Sequence, residues 1–332
     1  MPRRLAQLCE ARLDAVTFRR ELRAPLASWV PFAAYCVNTV DPETLIITSS
    51  VGDGLSVAAA RRLFELEETG SDFNRLVDLA RGKAHVASIW QATRGDVAKS
   101  QRMREVFQPL GWHDELRAAL VVAEHCWGYL QLFRAVDQAP FNEHDRQRIA
   151  RLAPLLGAAL RSACVVGKEV EPVRPPAVLL LDAQGELASQ SDGVSSFRAA
   201  LAGDVGGAVP HVVHAVSSRS RSRASQSSTL PVARYRTPQG DWVSVHGCPL
   251  RSGLALLLGS PGLNERASLL FLAHGLTARE SEIARLLVRG YANDAIAASL
   301  GISLHTTKDH VKAILAKTGA ATRADFVAAL VA

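Results

Sequence analysis

The sequence has few of the features that mark secreted, metal-binding or membrane proteins. Its five cysteines are widely scattered and form no C-x-x-C pair, which argues against a disulfide framework and against a zinc site. No window approaches the roughly 18 uninterrupted apolar residues of a membrane span. The chain begins with the charged, amphipathic segment MPRRLAQLCEARLD, so we expect no signal peptide. We predict a cytoplasmic protein that needs no metal or other cofactor and does not contact a membrane.

Recognisable catalytic motifs are also lacking. Neither G-x-x-x-x-G-K nor H-E-x-x-H occurs, so the signatures of a phosphate-binding loop and of a zinc protease are absent. The histidines of the N-terminal half have no acidic residue or cysteine at the spacing of a catalytic triad. Cys126 stands beside Trp127, and this pair is more typical of a hydrophobic core than of a reactive thiol. We predict that the protein is not an enzyme.

The overall composition is that of a globular protein with more than one domain. A length of 332 residues corresponds to two or three domains, each able to bury its own core. Hydrophobic residues make up 48% and charged residues 21% of the chain, which are ordinary values for such a protein. The formal net charge of +6 is compatible with a nucleic-acid partner without establishing one.

Capping residues divide the segment from Leu276 to Leu330 into four predicted helices. The second helix covers about Asn293–Leu300, and a longer third helix follows after one glycine-containing turn. Two helices joined by such a turn form a helix-turn-helix unit, whose second helix enters the DNA major groove with its N-terminal end first. The predicted N-caps are Thr277, Ser303 and Thr322, and the glycines that end helices are Gly290, Gly301 and Gly319.

This C-terminal segment resembles the LuxR-type (GerE) DNA-binding domain. The family pattern consists of L-T-x-R-E, then I-A-x-x-L-x-I-S-x-x-T-V-K-x-H, and then a C-terminal arginine, and the resemblance covers the last fifth of the chain. Thr307 and Asp294 depart from it, because the family usually has Val and Lys at these positions. The matching residues are Leu276, Thr277, Arg279, Glu280, Gly290, Asn293, Ile296, Ala297, Leu300, Ile302, Ser303, Thr306, Lys308, His310 and Arg323.

The resemblance implies double-stranded DNA as the partner and assigns roles to individual residues. Lysine can donate to guanine and a carboxylate can accept from cytosine N4, while polar groups at helix starts can hold phosphates. Residues 265–332 carry 8 Lys+Arg and 6 Asp+Glu, so their net charge is 8 − 6 = +2, and tight binding is expected to require a homodimer. The base-reading residues would be Lys308, Asp309 and Lys312, the phosphate-binding residues Thr277, Asn293, Ser303 and Thr306, and the dimer contacts Phe326, Val327 and Leu330.

The N-terminal region, residues 1–168, shows an α+β order with an antiparallel sheet. This order resembles that of a GAF-type sensor domain, in which the first and last helices often pair across a dimer. The predicted elements are a helix over residues 3–23, strands at Ala33–Val40 and Leu45–Ser50, a helical segment over Ala58–Ala80 that is broken near Gly70-Ser71, a strand at His85–Trp90, a helix at Lys99–Phe107, a hairpin of Glu115–Ala123 and Trp127–Val136, and a helix capped by Asn142.

The middle region, residues 175–262, follows a linker marked by Pro172, Pro175 and Pro176. A strand pair, short helices, a hairpin and a last strand resemble a PAS-like domain. Residues 218–228 alternate Ser and Arg before a further serine-rich run. We predict a solvated loop there, and the alternative is an accessory arm that uses three arginines on DNA phosphates.

The fold expected from the sequence is multidomain, α+β followed by all-α: a GAF-like antiparallel sheet domain (1–168), a PAS-like domain (175–262) and a four-helix LuxR-type helix-turn-helix (266–332). The predicted function is a dimeric, sequence-specific transcriptional regulator whose N-terminal modules respond to an unidentified signal, with a small-molecule ligand as one candidate. The alternative is a non-catalytic sensor or interaction protein with a weak or lost DNA reader, which Asp294 and Asp309 make conceivable.

Overall fold

The computed structural model describes residues 1–53, 55–165, 175–201, 210–223, 230–237 and 240–331. These ranges contain two antiparallel five-stranded sheets with their helices and a helical C-terminal region, which confirms the expected fold class. In both sheets the strands lie in the same order. If the strands of each sheet are numbered one to five along the chain, their order from one edge to the other is 2-1-5-4-3. The two sheet regions therefore share one topology.

The first sheet region is built from five strands and six α-helices. Short 3-10 and π turns between residues 97 and 110 connect α5 to β4. The strands are β1 (Ala34–Val40), β2 (Ile47–Gly52), β3 (Val86–Ser88), β4 (Trp112–Val122) and β5 (His125–Ala135), and the helices are α1 (Arg3–Glu10), α2 (Ala15–Ala27), α3 (Val57–Thr69), α4 (Leu76–Arg81), α5 (Ile89–Thr93) and α6 (Glu143–Ala163).

The rest of the described chain supplies the second sheet and the C-terminal helices. The second sheet region consists of β6 (Ala177–Asp182), β7 (Leu187–Gln190), α7 (Val194–Leu201), α8 (His211–Arg223), β8 (Val232–Arg236), β9 (Trp242–Leu250) and β10 (Gly253–Gly259). The C-terminal helices are α9 (Leu263–Ala273), α10 (Ala278–Val288), α11 (Asn293–Leu300), α12 (Leu304–Thr318) and α13 (Arg323–Val331).

Side chains of β1 alternate between the two faces of the first sheet, as expected for a strand. Tyr35 and Val37 pack with α2 and α6 in the main apolar core, whereas Ala34 and Cys36 pack on the opposite face against Phe133. Both faces are therefore covered by helices or helical turns. This explains why the central strands are apolar on both sides.

Several predicted elements of the first region need correction. The predicted helix over residues 3–23 is two helices, because Arg12 has a φ of 47° and Asp14 caps α2 by accepting from the backbone of Val16 and Thr17. The predicted strand at 85–90 ends at Ser88, and the predicted helix at 99–107 consists of 3-10 and π turns. The capped helix after Asn142 is confirmed, with a complete capping box.

The Ser/Arg tract was wrongly predicted to be a loop over its first half. Residues 218–223 form the last turns of α8, and Ser220 is buried there with its hydroxyl donating to the carbonyl of Val216 at 2.7 Å. Arg219 is buried as well, and its guanidinium pairs with Glu68 of α3. This contact to the first sheet region explains why so polar a segment is ordered as a helix. Residues 224–228 and Pro172 lie outside the described residues.

Charged pairs hold the two sheet regions together. Arg234 of β8 forms an ion pair with Asp41, which follows β1 and is fully buried. Arg61 of α3 pairs with Glu186 in the β6–β7 turn. Helix α3 also packs along α8, so this helix of the first sheet region contacts the second sheet region as well.

Candidate DNA-binding surface and sensor cavities

Helices α10 to α13 take the arrangement that their capping residues predict. Thr277 caps α10 by accepting from the N–H of Glu280 at 3.2 Å, and the Glu280 carboxylate accepts from the N–H of Thr277 at 2.6 Å. Lys317 of α12 reaches the same carboxylate at 2.6 Å. Burial raises the pKa of Glu280, but the hydrogen bonds from Lys317 and Thr277 outweigh it and hold the pKa below its usual value. This group therefore ties the start of α10 to α12.

Helices α11 and α12 form the helix-turn-helix pair. Gly301 ends α11 with a φ of 62°, a left-handed conformation that favours glycine. Ser303 then caps α12, with its Oγ accepting from the N–H of Thr306 at 3.0 Å. The hydroxyls of Ser303 and Thr306 also lie 2.9 Å apart. The structure thus brings two of the four predicted phosphate-binding residues together at the start of α12.

The three predicted base-reading residues lie on the exposed face of α12. Lys308, Asp309 and Lys312 are all exposed in the full chain, and neither lysine forms an ion pair with any residue that the structure describes. The Asp309 carboxylate lies 3.5 Å from Nε2 of His305, one turn earlier. Thr307, where the family usually has Val, is fully buried and donates to the carbonyl of Ser303 at 3.1 Å. Its hydroxyl is thereby satisfied, so the departure from the family pattern leaves no unpaired buried group.

The other two predicted phosphate-binding residues begin different helices. Thr277 is exposed at the start of α10, and its hydroxyl is already used as the cap. Asn293 is the first residue of α11 and is half-buried, and its side chain does not cap that helix. The exposed Asp294 follows it directly. The side-chain amide of Asn293 could therefore contact a phosphate at the start of α11. The hydroxyl of Thr277 is used as the cap, so this residue is an exposed position at the start of α10 with less capacity to bind a phosphate.

The predicted dimer contacts are placed differently from expectation. Phe326 and Leu330 of α13 are only 2% and 4% exposed, because α9 covers them. Phe326 stacks on Phe271 of α9 with ring centroids 6.1 Å apart. Both side chains therefore pack in the core of the chain, and their role as dimer contacts stays a prediction. Val327 is half-buried and packs against the same core.

Sequence analysis did not predict α9, which is part of the C-terminal core. Its residues Ala267, Leu269 and Leu270 are buried with Ile283 of α10. The guanidinium of Arg266, also buried, donates to the carbonyl of Leu330 near the end of α13. The helical region therefore contains five helices rather than the four that the sequence predicts.

The first sheet carries a buried polar network that the sequence analysis missed. The Glu115 carboxylate accepts from Arg102 at 2.8 Å and from Arg117 at 2.7 Å. Gln131 donates to Glu115 at 3.2 Å and accepts from Asn38 at 3.0 Å. Burial raises the pKa of Glu115, but the two arginines outweigh it and hold the pKa below its usual value. The alternation of Glu115 and Arg117 with the apolar Leu116 and Ala118 along β4 was a signal that could have revealed this network.

A cavity lies beside this network, between the first sheet and α3. Asn38, Gln131 and Arg117 line one side of it, and Phe64 of α3 lines the other. His211 of α8 lines it as well, with its ring 5.9 Å from that of Phe64. The cavity is therefore lined by both sheet regions, and amide and guanidinium groups stand next to apolar side chains in its wall.

The model of the luxR family of bacterial regulatory proteins (GerE) matches residues 274–330. These residues form a LuxR-family helix-turn-helix domain. The match includes α10 to α13 with Lys308, Asp309 and Lys312, and it begins after α9. The LuxR-family domain indicates that the chain is a transcriptional regulator. Regulatory DNA-binding domains of this type are generally not enzymes.

Comparison with solved structures returns proteins of low sequence identity. Escherichia coli SdiA is 12% identical, with 98% of this chain and 92% of that chain covered and a TM-score of 0.37. The GAF domain of the cyanobacteriochrome TePixJ is 16% identical, with 48% and 96% covered and a TM-score of 0.35. Vibrio cholera VqmA, in a complex with ligand and DNA, is 19% identical, with 47% and 81% covered and a TM-score of 0.23. None of these likenesses bears on function by itself. No curated protein matches the sequence.

Neither a membrane-spanning helix nor a metal-binding cluster occurs within the described ranges. No helix there is both long and apolar enough to cross a membrane. No group of three or more His, Cys, Asp or Glu side chains in those ranges has an arrangement that could hold a metal ion.

Proposed function

We propose that this protein is a transcription factor that reads double-stranded DNA as a homodimer, and that its two sheet domains, GAF-like and PAS-like, adjust this reading in response to a signal. The observation that carries the proposal is the exposure of Lys308, Asp309 and Lys312 on α12 in the full-length chain. Lys308 and Lys312 lie on α12 of the LuxR-family domain, and neither forms an ion pair with a described residue that would compete with DNA. The reading surface is therefore open to a duplex.

The chemistry of these side chains suits the edges of base pairs. Lys308 and Lys312 stand one helical turn apart and project from the same face. Each can donate to guanine O6 or N7, and the Asp309 carboxylate can accept from cytosine N4. The hydroxyls of Ser303 and Thr306 lie at the start of α12, together with its free N–H groups, where a phosphate is favoured. In this proposal α12 enters the major groove with that end first.

The modest charge of the reader supports a dimer. Residues 265–332 carry a net charge of 8 − 6 = +2, and Asp294 places an exposed carboxylate close to the proposed phosphate contacts. Since phosphate neutralisation supplies much of the affinity for DNA, two copies are expected to bind together on two half-sites about one helical turn apart.

In-vitro selection of random duplex DNA by the purified full-length protein at moderate salt tests the proposal. We expect enrichment of an inverted repeat whose half-sites are about one helical turn apart. The matched control is the Lys308→Ala, Lys312→Ala double variant, which is expected to fold, because both side chains are exposed, and to enrich no sequence. Failure of the wild-type protein to enrich any sequence would contradict the proposed function.

A second candidate is a sensor or interaction protein that does not read DNA. The exposed carboxylates of Asp294 and Asp309 favour this candidate, because negative charges on the reading surface weaken its attraction to DNA phosphates. If the wild-type protein binds the selected DNA no better than the double lysine variant does, the second candidate is preferred.

A further inference from the structure

The second sheet has one face covered by helices and a second face that is partly open. Leu179 and Leu181 of β6 pack with α7 and α8 in one buried cluster, so the residues between them point to the second face. On that face Trp242 of β9 shares a buried cluster with α9. Farther along the same face, Leu180 and Leu257 are 37% and 41% exposed. Helix α9 therefore covers one end of this face, and large apolar side chains meet solvent at the other.

The strand register joins the outward-facing residues of the open end into two neighbouring rows, because directly paired residues lie on the same face of a sheet. One row consists of Val178, Leu257, His246 and Val232, and the next row consists of Leu180, Ala255 and Cys248. All seven residues are at least partly exposed. We call the six residues other than His246 the open patch.

The composition of this face is unusual for a sheet surface in contact with water, which ordinarily carries polar residues. Its two rows contain no Lys, Arg, Asp or Glu, although these types make up 21% of the chain. Charged side chains stand at the margin, where Glu265 lies 3.7 Å from His246 and Asp182 pairs with Gly253 in the next row. Leu250, in that same row, is 51% exposed. A contiguous apolar surface with a polar rim is typical of a protein–protein contact.

The size of the face suits a second copy of this chain. Neighbouring strands lie about 4.8 Å apart and successive rows of one face about 7 Å apart, so five strands and the three rows from Val178 to Leu250 span about 500 Å². Two copies would bury about 1,000 Å², which is roughly the smallest area of a specific interface. We therefore expect a reversible dimer rather than a permanent one.

The charge of the chain also favours a contact at this place. Two copies that each carry a net charge of +6 repel one another over most of their surfaces. The open patch has no charged side chain, so two copies can meet there without placing like charges in contact. A flat apolar face is also complementary to itself when a two-fold axis relates the copies.

We propose that the open patch is a homodimer interface, in which the second sheets of two copies pack face to face about a two-fold axis. Leu180 and Leu257 of both copies would supply most of the apolar area buried in it. Helix α9 borders the same face through Glu265 and packs in the core of the LuxR-family domain, so the contact would set the spacing of the two DNA readers. This consequence for DNA reading rests on the proposed function, whereas dimerisation through the patch does not.

Sedimentation equilibrium of the purified full-length protein without DNA, over a range of protein concentrations, is the first test. The wild type is expected to dimerise reversibly. Leu257→Glu should weaken dimerisation by about a hundredfold or more, because the dimer would enclose two added carboxylates without partners. The matched controls are Leu110→Glu and Leu155→Glu, which change leucines of the first sheet region that are also 41% exposed and should leave dimerisation unchanged. A wild type that stays monomeric at every concentration overturns the proposal, and so does a Leu257→Glu variant that dimerises like the wild type.

Alkylation of the wild-type protein provides a test that needs no variant to fold. Cys248 lies in the open patch, whereas Cys9 is a partly exposed cysteine of α1 in the first sheet region. When each is followed by peptide mass spectrometry during maleimide labelling, Cys248 should react more slowly as the protein is concentrated, in proportion to the fraction that remains monomeric. The rate at Cys9 should not change. Protection of Cys9 instead of Cys248, or protection of neither, contradicts the proposal.

Selection of random DNA separates this proposal from the proposed function. A wild-type dimer with a protected Cys248 but no selected DNA site would refute the proposed function and support the interface. A selected inverted repeat that Leu257→Glu binds as tightly as the wild type, together with an unprotected Cys248, would support the proposed function and refute the interface.

Discussion

Asp41 and Arg234 form a buried two-pronged ion pair between the two sheet regions. The Arg234 Nε lies 2.8 Å from Oδ2 of Asp41 and its Nη2 lies 3.0 Å from Oδ1. The backbone N–H of Arg234 also donates to Oδ2 at 3.0 Å. Glu43 contacts the same guanidinium at 2.6 Å. The loss of Arg234 would leave the Asp41 carboxylate buried alone, whereas the loss of Asp41 would leave the guanidinium with Glu43 as its one carboxylate partner among the described residues.

Asp41→Asn is expected to lower the free energy of unfolding by about 1.5–3 kcal/mol, since it removes the buried carboxylate and leaves the Arg234 guanidinium with only the more exposed Glu43 as counter-charge. Chemical denaturation of the full chain measures this change. The matched control is Asp53→Asn, which removes a carboxylate paired with Arg23 at the surface and should cost no more than about 1 kcal/mol. Equal losses in the two variants would show that the buried pair contributes no more than the exposed one.

Phe326→Ala should destabilise the protein by about 3–5 kcal/mol, because it empties a buried site next to Phe271. Its oligomeric state, measured by analytical ultracentrifugation under folding conditions, is expected to match that of the wild type. Val327→Ala, on the same helix and half-buried, should cost clearly less. Conversion to monomer without a loss of stability would instead indicate that Phe326 does contact a partner chain.

Lys312→Ala is expected to weaken binding to the selected DNA by about 1–3 kcal/mol and to relax the preference at one base pair. The reason is the loss of a donor to a base edge. Lys99→Ala provides the comparison, because Lys99 is an exposed lysine of the first sheet region whose removal lowers the net charge by the same amount. A similar loss of affinity in both variants, with no change in preference, would mean that Lys312 acts only through its charge.

The stability of the protein should fall in acid partly because of His214. Burial, and then the nearby His211, lower the pKa of His214 to about 4, while its pKa in an unfolded chain is about 6.5. Between these values the unfolded chain binds more protons, so stability is complete above about pH 6.5 and is lost as the pH falls toward 4. After allowance for solvent screening, we expect this group to contribute about 1–2 kcal/mol.

His214→Gln removes that titration, so the variant should lose less stability than the wild type between pH 7 and pH 4.5. Unfolding curves at both pH values measure the difference. His305→Gln serves as the comparison, because the His305 side chain is 87% exposed, and its loss should parallel that of the wild type. If the His214 variant also parallels the wild type, burial does not perturb this histidine.

Local capping signals carried most of the fold that could be predicted from the sequence. Thr277, Ser303 and Asn142 cap helices as predicted because a cap depends on residues within four positions. The helix at Leu263–Ala273 was missed, since its apolar run follows a strand closely and only Gly262 marks its start. Its packing against α13 joins residues far apart in sequence, which no local pattern reveals.

The candidate site was predictable to the extent that it is local. The exposure of Lys308, Asp309 and Lys312 follows from the periodicity of α12. By contrast, the burial of Phe326 depends on α9, and the helical form of residues 218–223 depends on Glu68 of a different sheet region. Neither the family resemblance behind the predicted dimer contact nor the composition behind the predicted loop reveals contacts between residues far apart in the chain. Only the folded chain brings such residues together.

The participation of α9 in the C-terminal core decides how the DNA reader can be isolated as a recombinant fragment. A fragment that begins at residue 274, where the family match starts, would lack Ala267, Leu270 and Phe271, and the aromatic ring of Phe326 would lose its cover. Such a fragment is expected to precipitate or to self-associate through this uncovered stripe. Expression should therefore begin no later than Gly262, whose backbone N–H bonds to Glu265 at the start of α9.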